Sequence, residues 1–204
     1  MTGLYLVFLV EEPSMEAFLR GFLPRVLPAG HGFEVYPFRG KGDLLRQLQG
    51  RLEGYANWLA ADWRIVVLVD RDDDDCVVLK DERERKAARA GLRTRATSAA
   101  SWQVVNRVVI EELEAWYFAD WDAVYSAFPR VSPTLGKKPR YRDPDAIRGG
   151  TWETFERILQ ECGYFKAGLR KVEVARTMGA IVATNGNRSR SFTKFYEAIA
   201  EATA

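Results

Sequence analysis

The chain has 204 residues, a net charge of +2 and 47% apolar residues. That is enough apolar material for a core and argues against intrinsic disorder. The only histidine, His31, and the two cysteines, Cys76 and Cys162, argue against a histidine-based triad and against a zinc site rich in His or Cys.

Residues 4–10 form a short apolar run that reads as a strand. It is too short to cross a membrane, and no basic stretch precedes it as in a signal peptide, so reduced thiols and a cytoplasmic location are expected. The turn Glu11-Glu12-Pro13-Ser14 leads into a helix over 15–26, with Phe18, Leu19, Phe22 and Leu23 on one face. A second strand is expected at 33–38, between Gly32 and Gly40. A helix over 43–60 follows, with Leu44, Leu48, Leu52 and Tyr55 at helical spacing. Residues 64–69 read as a third strand, buried on both faces, followed by a charged helix from Cys76 to about 90 and a fourth strand at 102–110. This β-α-β-α-β-α-β order predicts an α/β fold, a Rossmann-like sheet of about four mainly parallel strands with right-handed crossovers and flanking helices.

Beyond residue 110 the pattern is helical. Helices are expected from 111 to 118, 121 to 128, 152 to 162, 171 to 183 and 192 to 202. A proline-rich basic loop near 129–150, with Lys137, Lys138, Arg140 and Arg142, is expected to be mobile. The organisation predicted is an α/β domain over 1–118 and a helical extension over 119–204 packed on it. Residues 137–194 carry 13 Lys and Arg against 6 Asp and Glu, while residues 1–136 carry 17 against 20. An acidic centre beside a basic second half suits a polyanion held near a metal, and a solvated helical surface accounts for the same charges equally well.

The chemistry concentrates where the third strand ends, at Asp70-Arg71-Asp72-Asp73-Asp74-Asp75. Side chains at the carboxyl edge of a parallel sheet face the crevice where ligands bind. Asp70 and Asp72 are spaced to point the same way from an extended backbone. Asp74 and Asp75 suit the first turn of the following helix, and Asp74 also remains a candidate ligand, whereas Asp73 and Asp75 read as helix-start or solvent residues. Glu11 ends the first strand, so parallel pairing brings it to the same edge as Asp70 and Asp72. Three carboxylates converging there form a Mg²⁺ (or Mn²⁺) site for phosphate chemistry. Glu114, sharing a helix face with Glu111, offers a further acid, and Glu16 a second metal site or a solvated helix face. Lys41, between two glycines on the same edge, is either a phosphate contact or a turn lysine. Trp116 and Tyr117 read as core, and 185–191 either as a phosphate grip or a helix-helix turn.

A glutamate after the first strand with Asp-x-Asp after the third resembles the TOPRIM domain of topoisomerases, primases and overcoming-lysogenization-defect nucleases. More closely, the chain resembles the TOPRIM-like family of domain of unknown function 4276. The segments that carry this resemblance lie in order at 10–19, 40–44, 70–76, 111–116 and 191–192. The resemblance implies a metal-dependent nuclease that cleaves phosphodiesters of DNA or RNA, often partnered with an ATPase in bacterial defence against phage. It gives Glu11, Asp70 and Asp72 the metal and catalytic roles, with Glu11 alternatively the general acid or base. A non-catalytic or conditionally active subunit of an ATPase complex is the alternative. Where the family usually has glycine after the first glutamate, this chain has Glu12, which brings bulk and negative charge or joins the metal shell. A topoisomerase is not expected, because that chemistry needs a nucleophilic Tyr on a separate domain and the chain is short. A phosphatase with an Asp-x-Asp pair fits less well because the pair follows the third strand, and a glycosyltransferase because it needs a longer acceptor region.

Overall fold

The computed structural model describes residues 3–72, 74–147 and 149–204. Its elements run β1 (Tyr5–Val10), α1 (Pro13–Val26), β2 (Gly32–Pro37), α2 (Lys41–Ala56), β3 (Trp63–Asp70), α3 (Cys76–Arg89), β4 (Val104–Val109), α4 (Glu114–Ala119), α5 (Trp121–Ala127), α6 (Thr151–Glu161), α7 (Lys171–Ile181) and α8 (Arg190–Thr203). The four strands are all parallel, in the order β2-β1-β3-β4. The α/β expectation therefore holds, and β1 and β3 flank the point where the strand order reverses, the usual ligand crevice of such a sheet.

Strand alternation divides the core into two layers. Val7, Leu9, Ile65, Val67 and Val69 face α2 and α3, where Leu44, Leu48, Leu52 and Ala87 cover them. Leu6, Phe8, Val10, Val66 and Leu68 face the other way, onto α1 and the helices of the second half. That layer is continuous across residue 118: Phe8 meets the ring of Phe195, and Phe22 meets that of Phe192. Each fully buried Leu or Phe contributes about 2 kcal/mol of transfer free energy, so this layer ties the helical half to the sheet.

Several boundaries differ from expectation for local reasons. α1 begins at Pro13, whose fixed φ and missing N–H suit the first helical position. α2 begins at Lys41 and stops at Ala56 rather than 60, before a turn closed by Leu59 N–H on the Tyr55 carbonyl. The helix expected from 111 starts only at Glu114, because Glu111 takes a left-handed backbone at φ 59°. Glu111 and Glu114 therefore share no helix face. The basic stretch expected as a mobile loop winds into three 3₁₀ turns, at Leu135–Lys137, Pro139–Tyr141 and Pro144–Ala146. Buried Val131, Tyr141 and Ile147 pin it, Tyr141 stacking on Phe118.

α1 and α7 meet at glycines. A Cβ on Gly179 would lie 2.2 Å from the carbonyl oxygen of Phe18, a backbone atom that cannot swing aside. Arg25 Nη1 then caps α7 by donating to the carbonyls of Gly179 and Val182, each at 2.9 Å. Gly179→Ala is expected to lower stability by about 2 kcal/mol through forced separation of the two helices, measured by urea unfolding. An unchanged midpoint would contradict this packing.

Candidate functional site

The site is assembled at the carboxyl edge between β1 and β3. In-register pairing of Val10 with Leu68 sets Glu11 beside the end of β3, and the backbone N–H of Asp70 donates to Glu11 Oε2 at 3.1 Å. By alternation Glu11 leans to the α2/α3 side of the sheet and Asp70 to the α1/α4 side. The two carboxylates thus straddle the edge. Asp70 is 8% exposed. Burial, reinforced by Glu11, Glu12, Glu114 and Asp72, holds its carboxyl well above the usual range. Burial likewise pushes Glu11 up to about 7, against the lowering effects of the Asp70 N–H and Lys41.

Beyond Asp70 the chain turns. Arg71 N–H donates to Val109 O at 2.8 Å, and Asp72, with φ 47°, donates its N–H to Glu111 O at 3.2 Å. Lys41 is placed by Gly40, whose φ of 95° suits glycine and whose N–H donates to Glu11 O at 2.9 Å. Its ammonium donates to Asp72 Oδ2 at 2.6 Å, Asp74 Oδ2 at 2.8 Å and Arg71 O at 3.1 Å. Although burial opposes it, these bonds hold the Lys41 pKa above its ordinary value. Asp75 caps α3, accepting from the N–H groups of Val77 and Val78. Asp74, expected to share that capping, pairs with Lys41 instead. Asp73 lies outside the described residues.

The remaining candidates separate. Glu114, at the start of α4, is buried and pushed up to about 7, first by burial and then by Glu112 and Glu12, against Lys171. It lies in the field of Asp70 and borders the same cluster. Glu16 pairs with Arg20 one turn along α1, at 2.8 Å, on the helix surface. Glu12 accepts from Ser14 Oγ. Glu111 pairs with Arg71, and Glu112 accepts from Thr151 Oγ1 at 3.0 Å and Trp152 N–H at 2.8 Å, anchoring the start of α6. Trp116 and Tyr117 are core, as expected. The segment 185–191 grips protein backbone: Arg188 Nη2 donates to Phe118 O at 2.8 Å and Asn187 Nδ2 to Trp116 O at 3.0 Å.

One residue was not singled out from sequence, and another was read only as core. Arg83 is fully buried on α3, its three nitrogens without a hydrogen-bond partner among the described residues. Burial pushes its pKa down to about 10, against the fields of Glu82, Glu84, Glu11 and Asp74. Because a helical side chain leans toward the helix N-terminus, Arg83 reaches back toward the carboxylate edge. The signal was present as an arginine in the stripe Leu79, Arg83, Ala87. Tyr117 carries a buried hydroxyl without a hydrogen-bond partner among the described residues, its pKa raised by burial and then by Glu114, Glu12 and Asp70.

Beside Asp72 opens a cavity of about 710 Å³, lined by Asp72, Glu111, Glu112, Asp145 and Glu153 with Arg71. Among the described residues, no group of three or more His, Cys, Asp or Glu side chains is gathered to hold a metal ion. The contacts give the reason: Lys41 holds Asp72 and Asp74, while Arg71 takes Glu111. The chemistry of the donor set nonetheless fits a hard cation. Glu11, Asp70 and Asp72 are all-oxygen donors, and the first two are buried together against their mutual repulsion, a strain that a divalent cation relieves. Loading such an ion requires Lys41 to release Asp72.

No curated protein and no solved structure matches the chain. No described helix is long and apolar enough to cross a membrane. The family model of domain of unknown function DUF4276 matches residues 10–200, a span that takes in every carboxylate of the edge together with Lys41. The chain belongs to the DUF4276 family.

Proposed function

We propose that the protein is a Mg²⁺- or Mn²⁺-dependent nuclease of TOPRIM type, hydrolysing phosphodiesters of DNA or RNA in the cytoplasm. Bacterial defence alongside an ATPase is the proposed setting. The observation that supports this reading best is the meeting of Glu11 and Asp70 across the strand-order reversal, with Asp72 and Lys41 beside them.

Glu11, Asp70 and Asp72 would hold the ion. When bound, it would supply positive charge to the phosphoryl oxygens and lower the pKa of a coordinated water. The chain's own groups supply the rest. Glu11 Oε2 is fixed by the Asp70 N–H, which leaves Oε1 to meet the ion or, where Asp70 and Asp72 alone hold it, to take the proton of the attacking water. Burial raises the Glu11 pKa in the metal-free protein, and a bound ion would lower it again. Lys41, once released from Asp72, would be free to meet a phosphate, and buried Arg83 offsets the negative charge of Glu11 and Asp74.

Incubating supercoiled plasmid and structured RNA with the purified chain and Mn²⁺ tests this reading. Nicking or RNA cleavage that stops with EDTA is expected. The hold of Lys41 on Asp72 and Asp74 favours a second reading, a subunit whose site opens only in a complex. Silence of the isolated chain, with cleavage once an ATPase encoded beside it is added, would select that reading.

A further inference from the structure

β4 is an edge strand, and its outer edge is closed over only half its length. Ile65 N–H donates to Gln103 O and Arg71 N–H to Val109 O, so the odd-numbered residues 103–109 face β3. Residues 104, 106 and 108 turn their backbone groups outward. At Val104 these are taken by the chain itself, with Arg95 N–H on Val104 O at 2.9 Å and Val104 N–H on Arg93 O at 3.1 Å. The segment then turns away, and the outward N–H and C=O of Val108 have no backbone partner among the described residues.

A groove of about 710 Å³ follows this open half, between α3 and α8. Its α3 wall is apolar at Cys76 and Val77, with Val77 62% exposed, and carries the opposite charges Lys80 and Asp81 one turn further on. Its α8 wall is basic, formed by Arg107, Arg190 and Lys194. Arg107 Nη2 is buried without an acceptor, and the Arg190 side chain has no ion pair among the described residues. Of the acids in the lining, Asp145 has both oxygens engaged, by Ser189 Oγ at 2.7 Å and Arg190 N–H at 2.8 Å, Asp143 accepts from the Asp145 N–H at 3.1 Å, and Asp81 stands on the α3 wall.

We infer that this groove receives an extended segment of a partner protein, which adds a strand to β4 and alternates apolar and acidic residues. The open backbone groups specify a strand, and the two walls specify its alternation. Apolar side chains meet Val77, and carboxylates meet Arg107 and Arg190. This site is independent of the metal reading.

The probe is a fluorescein-labelled heptapeptide alternating valine and glutamate, followed by anisotropy and by the amide resonance of Val108. Saturable binding that shifts the Val108 amide is expected, weakened at least tenfold in Val108→Pro and in Arg190→Glu. Val108→Pro removes an outward N–H only and leaves the β3 ladder whole, as proline is tolerated on edge strands. Arg190→Glu, on the surface of α8, serves if the proline variant unfolds. Absence of binding, or equal binding by both variants, would overturn the proposal. So would equal binding of a valine–lysine peptide, or a single-stranded oligothymidylate shifting Val108 where the peptide does not.

Discussion

Asp70→Ala is expected to reduce Mn²⁺-dependent strand cleavage about a thousandfold without unfolding the protein. The substitution removes one of the two carboxylates that straddle the β1–β3 edge. It spares the bond that positions the other, since Glu11 is held by the backbone N–H of residue 70, which alanine retains. It also removes a buried carboxyl crowded by Glu11, Glu12 and Glu114, so stability in EDTA at pH 8 is not expected to fall. Asp75→Ala, five residues on, should behave oppositely. That residue caps α3 through Val77 and Val78, so its loss costs about 1 kcal/mol of stability and leaves cleavage intact. Gel-based cleavage and urea unfolding on both variants check the pair. Equal cleavage by Asp70→Ala and wild type would remove Asp70 from the chemistry.

Metal-free protein is expected to gain stability as the pH falls from 8 to 5, the reverse of ordinary acid destabilisation. Burial raises Glu114 from an ordinary 4.5 to about 7, and Glu11 alike. Between these values the folded state holds protons that the unfolded chain has released, so acid favours folding. Above pH 7 the penalty is complete; it fades as the pH falls through 7 and is gone below about 4.5. Glu114 is buried enough for the whole effect, about 3 kcal/mol, whereas Glu11, only partly buried, contributes less. Asp70 adds in the same direction. Glu201, lowered by its bond to Arg95, works the other way but lies at the surface, where such pairs count for little. Urea titrations in EDTA at several pH values check this, and Glu114→Gln should lessen the slope, leaving the part that Asp70 and Glu11 contribute. Stability that falls steadily from pH 8 to 5 would contradict the buried placement of these acids.

What was legible in the sequence followed from period and order. Apolar runs alternating with helical stripes gave a parallel sheet, and parallel strands put Glu11 and Asp70 on one edge although 59 positions separate them. The division of labour among the aspartates was partly legible. Asp75 caps α3 as its position suggests, whereas the pairing of Asp74 with Lys41 depends on α2 lying across the turn. Glu111 was misread because nothing local marks a glutamate for a left-handed backbone; the break is imposed by Asp72 N–H and Arg71 meeting it from β3. Glu112 adjoins the cluster in sequence, but it accepts both of its hydrogen bonds from the start of α6, about forty residues later. The basic segment read as free because prolines and lysines dominate it, while its few apolar anchors, Val131, Tyr141 and Ile147, are too sparse to show a period. In each case a long-range contact overrode a local signal.

The central claim is that Glu11, Asp70 and Asp72 together bind a divalent cation, and calorimetric titration of Mn²⁺ into metal-free protein at pH 8 tests it most directly. Saturable binding is predicted, lost in Asp70→Ala and strengthened in Lys41→Met, where the ammonium no longer holds Asp72. Absence of binding by both the wild-type protein and Lys41→Met, or binding that Asp70→Ala leaves unchanged, would contradict the account.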